Sequence, residues 1–400
     1  MKKSKILISF IILIAALIII QLADSYCTEL FDRIQSLFLK DLIMDRKNMS
    51  LEDATILINS VAIPFYIIAA LAPLARMLVD YIGKEKVLAI NFIVLAAGCA
   101  ICMSTNNWLV FLAGNSIISF STSVDIQYIY IVDKVRKEKR ATIRGILAAV
   151  AAFAAMLVTI SRKFFVGYTS YGWRGLYAVG IAASLVVVAG AFIVAFLNHT
   201  KIVGNSGGGS TDNEKNNKGA LRLLIPLFVW GLAVPGIKFY NEPIVSMTYG
   251  NENLIQTVLL VQPAVTIVIN LLCGFLADNL GRKKVVYGGI IASCISLGIF
   301  ILIARCHINA PVLMGVMWGI MVGAYFSVTN ILLLMVMEMA QKNRIGRFSA
   351  MAAYANAAGT TIGMVVISIV SKVSNTSVSK LVMLIPAAII TVILIRKIKS

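Results

Sequence analysis

Only 18 of the 400 residues are acidic, and several of these acids interrupt runs that are otherwise apolar. In the first such run Gln21, Asp24, Ser25, Thr28, Asp32 and Gln35 fall at relative positions 0, 3, 4, 7, 11 and 14, one stripe of a helix. Glu29 lies off the stripe, one turn from Arg33, and reads either as its ion-pair partner or as a further polar group of a site. Lys238, Asn241 and Glu242 share a face at spacings of three and four between Pro235 and Pro243, a pattern that predicts a kinked or broken helix with free carbonyls. A third set is Asn115, Ser119, Thr122 and Asp125, with Gln127 displaced; a fourth is Asn330, with Trp318 and Tyr325 on the face above it, a pair that reads as aromatic packing or else as a surface that stacks on a substrate. Ionisable groups at membrane depth cost several kcal/mol unless paired or wet, so such stripes line a cavity. The chemistry they can do is to hold a small polar solute or to move a proton. Two pairings stay open for Lys238: with Asp24 across the cavity, or with Glu242 one turn away. Asp32 and Gln35 also read as headgroup residues, and Asp125 divides between the cavity and the end of its helix.

Enzymatic sets are missing. The sequence offers no Ser/His/Asp arrangement, no Walker loop and no metal-ligand spacing, and His199 and His307 fall in loops. Cys99 and Cys102 have CxxC spacing inside an apolar helix with no second ligand pair. No catalytic residue, metal or cofactor is therefore expected.

The elements that position these groups are set by composition. With 59% apolar residues, 14% charged residues and a mean hydropathy of +0.89, the chain is excluded from the ordinary globular class. One span and its loop take about 33 residues, so the length accommodates about twelve spans and leaves no room for a large soluble domain. Hydropathy places them near 5–38, 54–79, 87–105, 108–132, 142–165, 174–197, 222–247, 254–277, 285–304, 311–337, 348–371 and 380–395. The expected fold is an all-α polytopic membrane protein, twelve transmembrane helices in two pseudo-symmetric six-helix bundles, residues 1–198 and 222–400. Between them, 199–221 reads as a flexible cytoplasmic linker, because its core from Gly204 to Gly219 is too polar and glycine-rich to pack. The lysine-led start resembles a signal peptide, yet removing it would break the even count, so it is kept as the first span. Alanines at 148, 149, 151, 152, 154 and 155 read as a surface for close helix packing.

Of 36 Lys and Arg residues, 24 fall on the side that carries both termini, ten (among them Arg33, Arg162 and Lys380) on the other, and Arg76 and Lys238 within spans. That asymmetry predicts cytoplasmic termini and explains the charge of +18 without nucleic acid.

Two loops repeat. Arg76 to Val87 (RMLVDYIGKEKV) and Gly274 to Val285 (GFLADNLGRKKV) align without a gap at an offset of 198 residues, and Asp125/Asp133 are echoed by Asn330/Glu338. Gly83 and Gly281 are expected at positive φ in tight turns. With GFLADNLGRKK close to its loop signature and Gly172-Trp173-Arg174 before the sixth span, the chain resembles the major facilitator superfamily. The resemblance implies two six-helix bundles around a cavity that opens alternately to each side. It also implies a conformational latch of Asp80 and Asp278 with Asp133, Glu338, Arg140, Arg282 and neighbouring arginines, beside Gly83 and Gly281. The resulting expectation is a secondary transporter in a bacterial inner membrane, monomeric in the lipid bilayer, moving a small molecule with Asp24, Thr28, Glu29, Asn115, Asp125, Lys238, Asn241, Glu242 and Asn330 in binding or coupling. The excess of acids over Lys238 favours proton-coupled symport or a cationic or zwitterionic substrate. A small organic anion held by Lys238, or a non-transporting sensor, is the alternative.

Overall fold

A computed structural model of the chain describes residues 2–135, 137–198, 214–238, 240–339, 345–373 and 376–397, and every regular element among them is a helix. In the first half the long helices are α1 (Lys2–Arg33), α2 (Leu51–Ala70), α3 (Lys84–Ser104), α4 (Trp108–Ser123), α5 (Arg140–Tyr168) and α6 (Gly175–Asn198). In the second they are α7 (Glu214–Gly231), α8 (Val234–Lys238), α9 (Asn241–Tyr249), α10 (Glu252–Asn279), α11 (Arg282–Arg305), α12 (Pro311–Met339), α13 (Ile345–Val373) and α14 (Thr376–Arg396). Ten helical stretches among the described residues are long and apolar enough to cross a bilayer, and α4, at 16 residues, is a shorter apolar helix.

Local chemistry sets the ends. Ser50 accepts from the Asp53 amide at 3.1 Å, and Asn107 and Asn251 each accept from the amide two residues on at 2.9 Å, satisfying donors that the first turns of α2, α4 and α10 leave open. Gly83 and Gly281 stand immediately before α3 and α11 at φ +90° and +94°, so the two loop copies share one backbone turn, as expected.

Three expected elements differ. The first span is interrupted at Ile34, whose φ of −121° ends α1 before a short helix over Gln35–Leu39. The fourth is split at Asp125, φ +34°, and resumes over Gln127–Lys134. The linker is shorter than its composition suggests: 199–213 lie outside the described residues, but α7 already begins at Glu214, because a helix nucleated in the apolar run after Gly219 extends backwards at little cost.

Buried apolar side chains fall mainly into two clusters, one drawn from residues 23–191 and one from 220–395 together with Ala141. Between them α5 meets α10 with almost no side chain intervening. A Cβ on Gly145 would lie 2.8 Å from the Asn270 carbonyl, and one on Gly274 2.8 Å from the Ala141 carbonyl. Small residues permit this backbone approach. In the first-half copy of the loop, Arg76 stands where the second half has Gly274. It is buried, donating Nε to the Val124 carbonyl at 2.6 Å and Nη1 to Ser349 Oγ of α13 at 3.0 Å. One junction is thus a glycine contact and the other an arginine tether.

Candidate functional site

A cavity of about 270 Å³ lies where the halves face one another. From α1 the predicted stripe reaches it complete: Gln21, Asp24, Ser25, Thr28, Asp32 and, beyond Ile34, Gln35. Thr122, Ser123 and Asp125 come from the broken fourth span, and Lys238, Asn241 and Glu242 from the broken seventh. Gln262, Thr266 and Asn270 of α10, and Trp318 and Asn330 of α12, complete the polar wall. Ala148, Ala151, Ala152 and Ala155 line it as well, so the alanine surface of α5 serves the cavity and not packing alone.

Glu29 also lines it and sits 3.3 Å from Arg33, the i,i+4 partner. Asn115 is a correction: it is buried in α4 and does not reach the cavity, which borders only the last turn of that helix, two turns away. Tyr325 follows the packing reading of its ring, stacked on Trp230 at 4.9 Å. Trp318 does face the cavity, with the Arg33 guanidinium 5.5 Å above its ring.

Neither sequence-level pairing for Lys238 occurs. Its Nζ lies 3.0 Å from Asp32, joining α8 to α1 across the halves. Pairing with Asp24 requires the two side chains to stand at one depth across the cavity. Breaks on both sides of α8, with Tyr240 at φ +63°, change that register. Asn241 is also engaged differently: it donates to the Ile237 carbonyl at 2.6 Å and accepts from Lys380 at 2.7 Å. Lys380 further donates to the Gly236 carbonyl at 2.9 Å, so a fully buried lysine of α14 takes up a carbonyl at the helix break.

Ion pairs close the cavity towards both ends of the helices. At one end Arg162 of α5, 2% exposed, donates to the Arg33 carbonyl at 2.5 Å and reaches Glu242 at 3.4 Å and Glu252 at 3.2 Å. Glu242 also accepts from Ser36, from Oγ at 2.6 Å and from the amide at 3.1 Å, while Arg33 donates to the Leu259 carbonyl at 3.3 Å and to the Gln262 side chain. About 30 Å along α5, at 1.5 Å per residue, the other end is held by Asp278, which accepts from the amide and hydroxyl of Thr142 at 2.8 and 2.7 Å. Its carboxylate thereby caps the first turn of α5 from the opposite half. Arg144 bridges Asp125 at 2.9 Å and Asn330 at 3.3 Å, placing Asp125 in both the cavity and this closure. Glu338 binds Arg282 and lies 3.8 Å from Arg140. Of the expected latch residues, Arg140, Arg282 and Glu338 meet, Asp278 engages Thr142 instead, and the side chains of Asp80 and Asp133 lie outside the described residues.

The sequence matches the family model described as Major Facilitator Superfamily over residues 7–250. The chain belongs to the Major Facilitator Superfamily. As a member of that superfamily it is a multi-pass membrane transporter and not an enzyme. No curated protein matches it in sequence. Solved structures of superfamily members share its fold. The human organic anion transporter MFSD10 (TETRAN) superposes with TM-score 0.70 at 12% identity, covering 96% of this chain and 98% of its own. The proton:xylose symporter XylE bound to 6-bromo-6-deoxy-D-glucose gives 0.75 at 13%, covering 96% and 94%. A partially occluded inward-open XylE from E. coli gives 0.70 at 12%, covering 97% and 99%.

The Asp278 cap predicts a kinetic lesion. Asp278→Asn keeps an acceptor for Thr142 but removes the charge at the helix N-terminus, worth about 0.3–1 kcal/mol and up to about 2 where partly buried. Turnover should fall several-fold while the half-saturating substrate concentration stays put, because the contact is remote from the cavity. Normal turnover in initial-rate uptake would remove Asp278 from the latch.

Proposed function

We propose that the chain is a secondary active transporter of a small solute, working by alternating access and driven by protons. Twelve membrane crossings form two six-helix units, approximately 1–198 and 222–400, in a bacterial inner membrane with both termini cytoplasmic. The observation that carries this reading is a polar cavity bounded at each end by side-chain pairs drawn from opposite halves: Glu242 with Ser36 and Arg162 at one, Asp278 with Thr142 at the other. Releasing one set while the other holds exposes the same cavity to one side at a time. Basic residues support the orientation. Of the ten assigned to the outer side, Arg33, Arg162 and Lys380 are buried and paired within the protein, so the free positive charge facing the cytoplasm dominates further.

Two contributions follow for the polar residues. Lys238 and Asp32 join the halves inside the cavity, and an ion pair that must part as the halves separate is the natural place for proton coupling. An anion carrier centred on Lys238 is disfavoured, because that ammonium already has its carboxylate.

The test is uptake into proteoliposomes of purified protein. An imposed proton gradient should drive accumulation of a solute found by thermal-shift screening, and its collapse should leave counterflow. Saturable binding with neither accumulation nor counterflow would identify a sensor instead.

A further inference from the structure

Five carboxylates line the cavity: Asp24, Glu29, Asp32, Asp125 and Glu242. Four are matched by cations, Glu29 by Arg33 at 3.3 Å, Asp32 by Lys238 at 3.0 Å, Asp125 by Arg144 at 2.9 Å and Glu242 by Arg162 at 3.4 Å. Asp24 is 7% exposed and, among the described residues, its carboxylate has neither an ion-pair nor a hydrogen-bond partner. The polar side chains beside it on α1 are committed elsewhere: Thr28 Oγ1 donates to the Asp24 backbone carbonyl at 2.9 Å, and Gln21 Nε2 donates to Ser25 Oγ at 2.8 Å. That second bond leaves Gln21 Oε1 buried without a donor, and Asp125 Oδ1 is in the same condition because Arg144 takes its other oxygen.

Among the described residues the cavity wall therefore has one carboxylate without a paired cation and acceptors without donors on Gln21, Asp24 and Asp125, against a donor without an acceptor, Gln35 Nε2. A buried acceptor without a donor costs about 1–3 kcal/mol, and a buried charge more, so a ligand that supplies both is favoured by the full amount. Resting on the transporter reading above, we infer that the solute is a small protonated amine whose ammonium group sits on Asp24 and donates to Gln21 and Asp125. An ammonium brings one positive charge and several N–H donors to three acceptors. A carboxylate or phosphate finds no uncommitted cation and must break an existing pair. A neutral polyol satisfies acceptors but leaves the charge. Ala148, Ala151, Ala152, Val322 and Phe326 line the same cavity, a surface suited to a short apolar body.

Calorimetry on the purified full chain, with n-butylamine, ethanolamine and phenethylamine against n-butanol and n-butyrate, tests this. The expected result is saturable binding of at least one amine, tenfold or more tighter than the alcohol or acid, and a loss of about 10- to 100-fold in Asp24→Asn, the range for one charge-assisted hydrogen bond. Gln21→Leu should weaken the amine several-fold while its melting temperature shows an intact fold. The wild-type selectivity decides the matter even if a variant fails to fold. Preference for butyrate, no binding of any amine, or wild-type affinity in a folded Asp24→Asn protein would overturn the inference. Counterflow of radiolabelled ethanolamine reports separately on transport: amine binding without counterflow would leave the amine site standing and remove the transporter reading.

Discussion

Arg162→Met is expected to lower the unfolding free energy by about 3–5 kcal/mol, the usual consequence of leaving one member of a buried ion pair alone. The side chains of Arg162 and Glu242 are 2% and 1% exposed, so water cannot replace the guanidinium at the Glu242 carboxylate. The contact with Glu252, 61% exposed, contributes little, since exposed pairs are worth about 0–1 kcal/mol. Arg162 also holds the Arg33 carbonyl where α1 is interrupted, so the substitution loosens the junction between α1 and the short helix after it. Two measurements follow. Thermal unfolding in detergent should show a marked loss for Arg162→Met and substantial recovery for Arg162→Met/Glu242→Leu, in which neither charge is stranded. A cysteine at Ser36 should react faster with a membrane-impermeant thiol reagent in the single variant, because Ser36 and Glu242 then part more readily. A melting temperature equal to wild type would show that this pair does not hold the two halves together.

The second large effect belongs to Lys238. Lys238→Met leaves Asp32 without its cation, and accumulation should fall at least tenfold, the counterpart of about 1.4 kcal/mol. Asp32→Asn/Lys238→Met should recover counterflow towards wild type, because the stranded charge is gone, yet fail to accumulate solute against its gradient, because the pair proposed to couple the proton is gone too. Asp24→Asn/Lys238→Met should recover nothing, since Asp24 is not the partner. The alternative one-turn pair with Glu242 predicts rescue by Glu242→Gln instead. The three double variants, assayed for counterflow and for proton-driven accumulation, distinguish these pairings by which neutralisation restores function.

How legible the site is from sequence depends on whether a property is local. Helical periodicity repeats every 3.6 residues, so six polar positions from Gln21 to Gln35 could be placed on one face and assigned to a cavity without knowing any neighbour, and all six line it. The turns at Gly83 and Gly281 were equally accessible, because positive φ is a property of one residue and its lack of a Cβ. Charges near span ends were harder. Arg33, Arg162 and Lys380 fall near the ends of hydropathy spans, and a window average treats a charge in water and a charge between helices alike. Each is nevertheless buried and bonded to backbone carbonyls or side chains. Their helical setting carried a weak signal, in that all three flank long apolar runs on the side poorer in basic residues.

Sequence by itself determined the helical class, the membrane setting, the repeated loop, the polar stripes and, through the loop motif, the superfamily. These follow from composition and from spacings along one chain, where neighbours are set by covalent geometry. Tertiary structure alone decided the partners: Lys238 with Asp32, Glu242 with Ser36 and Arg162, Asn241 with Lys380, and Asp24 with no described partner. Partner choice depends on the axial register of one helix against another, and a break such as those flanking α8 moves that register by more than the reach of a side chain. Eight residues separate Asp24 from Asp32, about 12 Å along a helix, and that distance separates a carboxylate neutralised by Lys238 from one with no described partner.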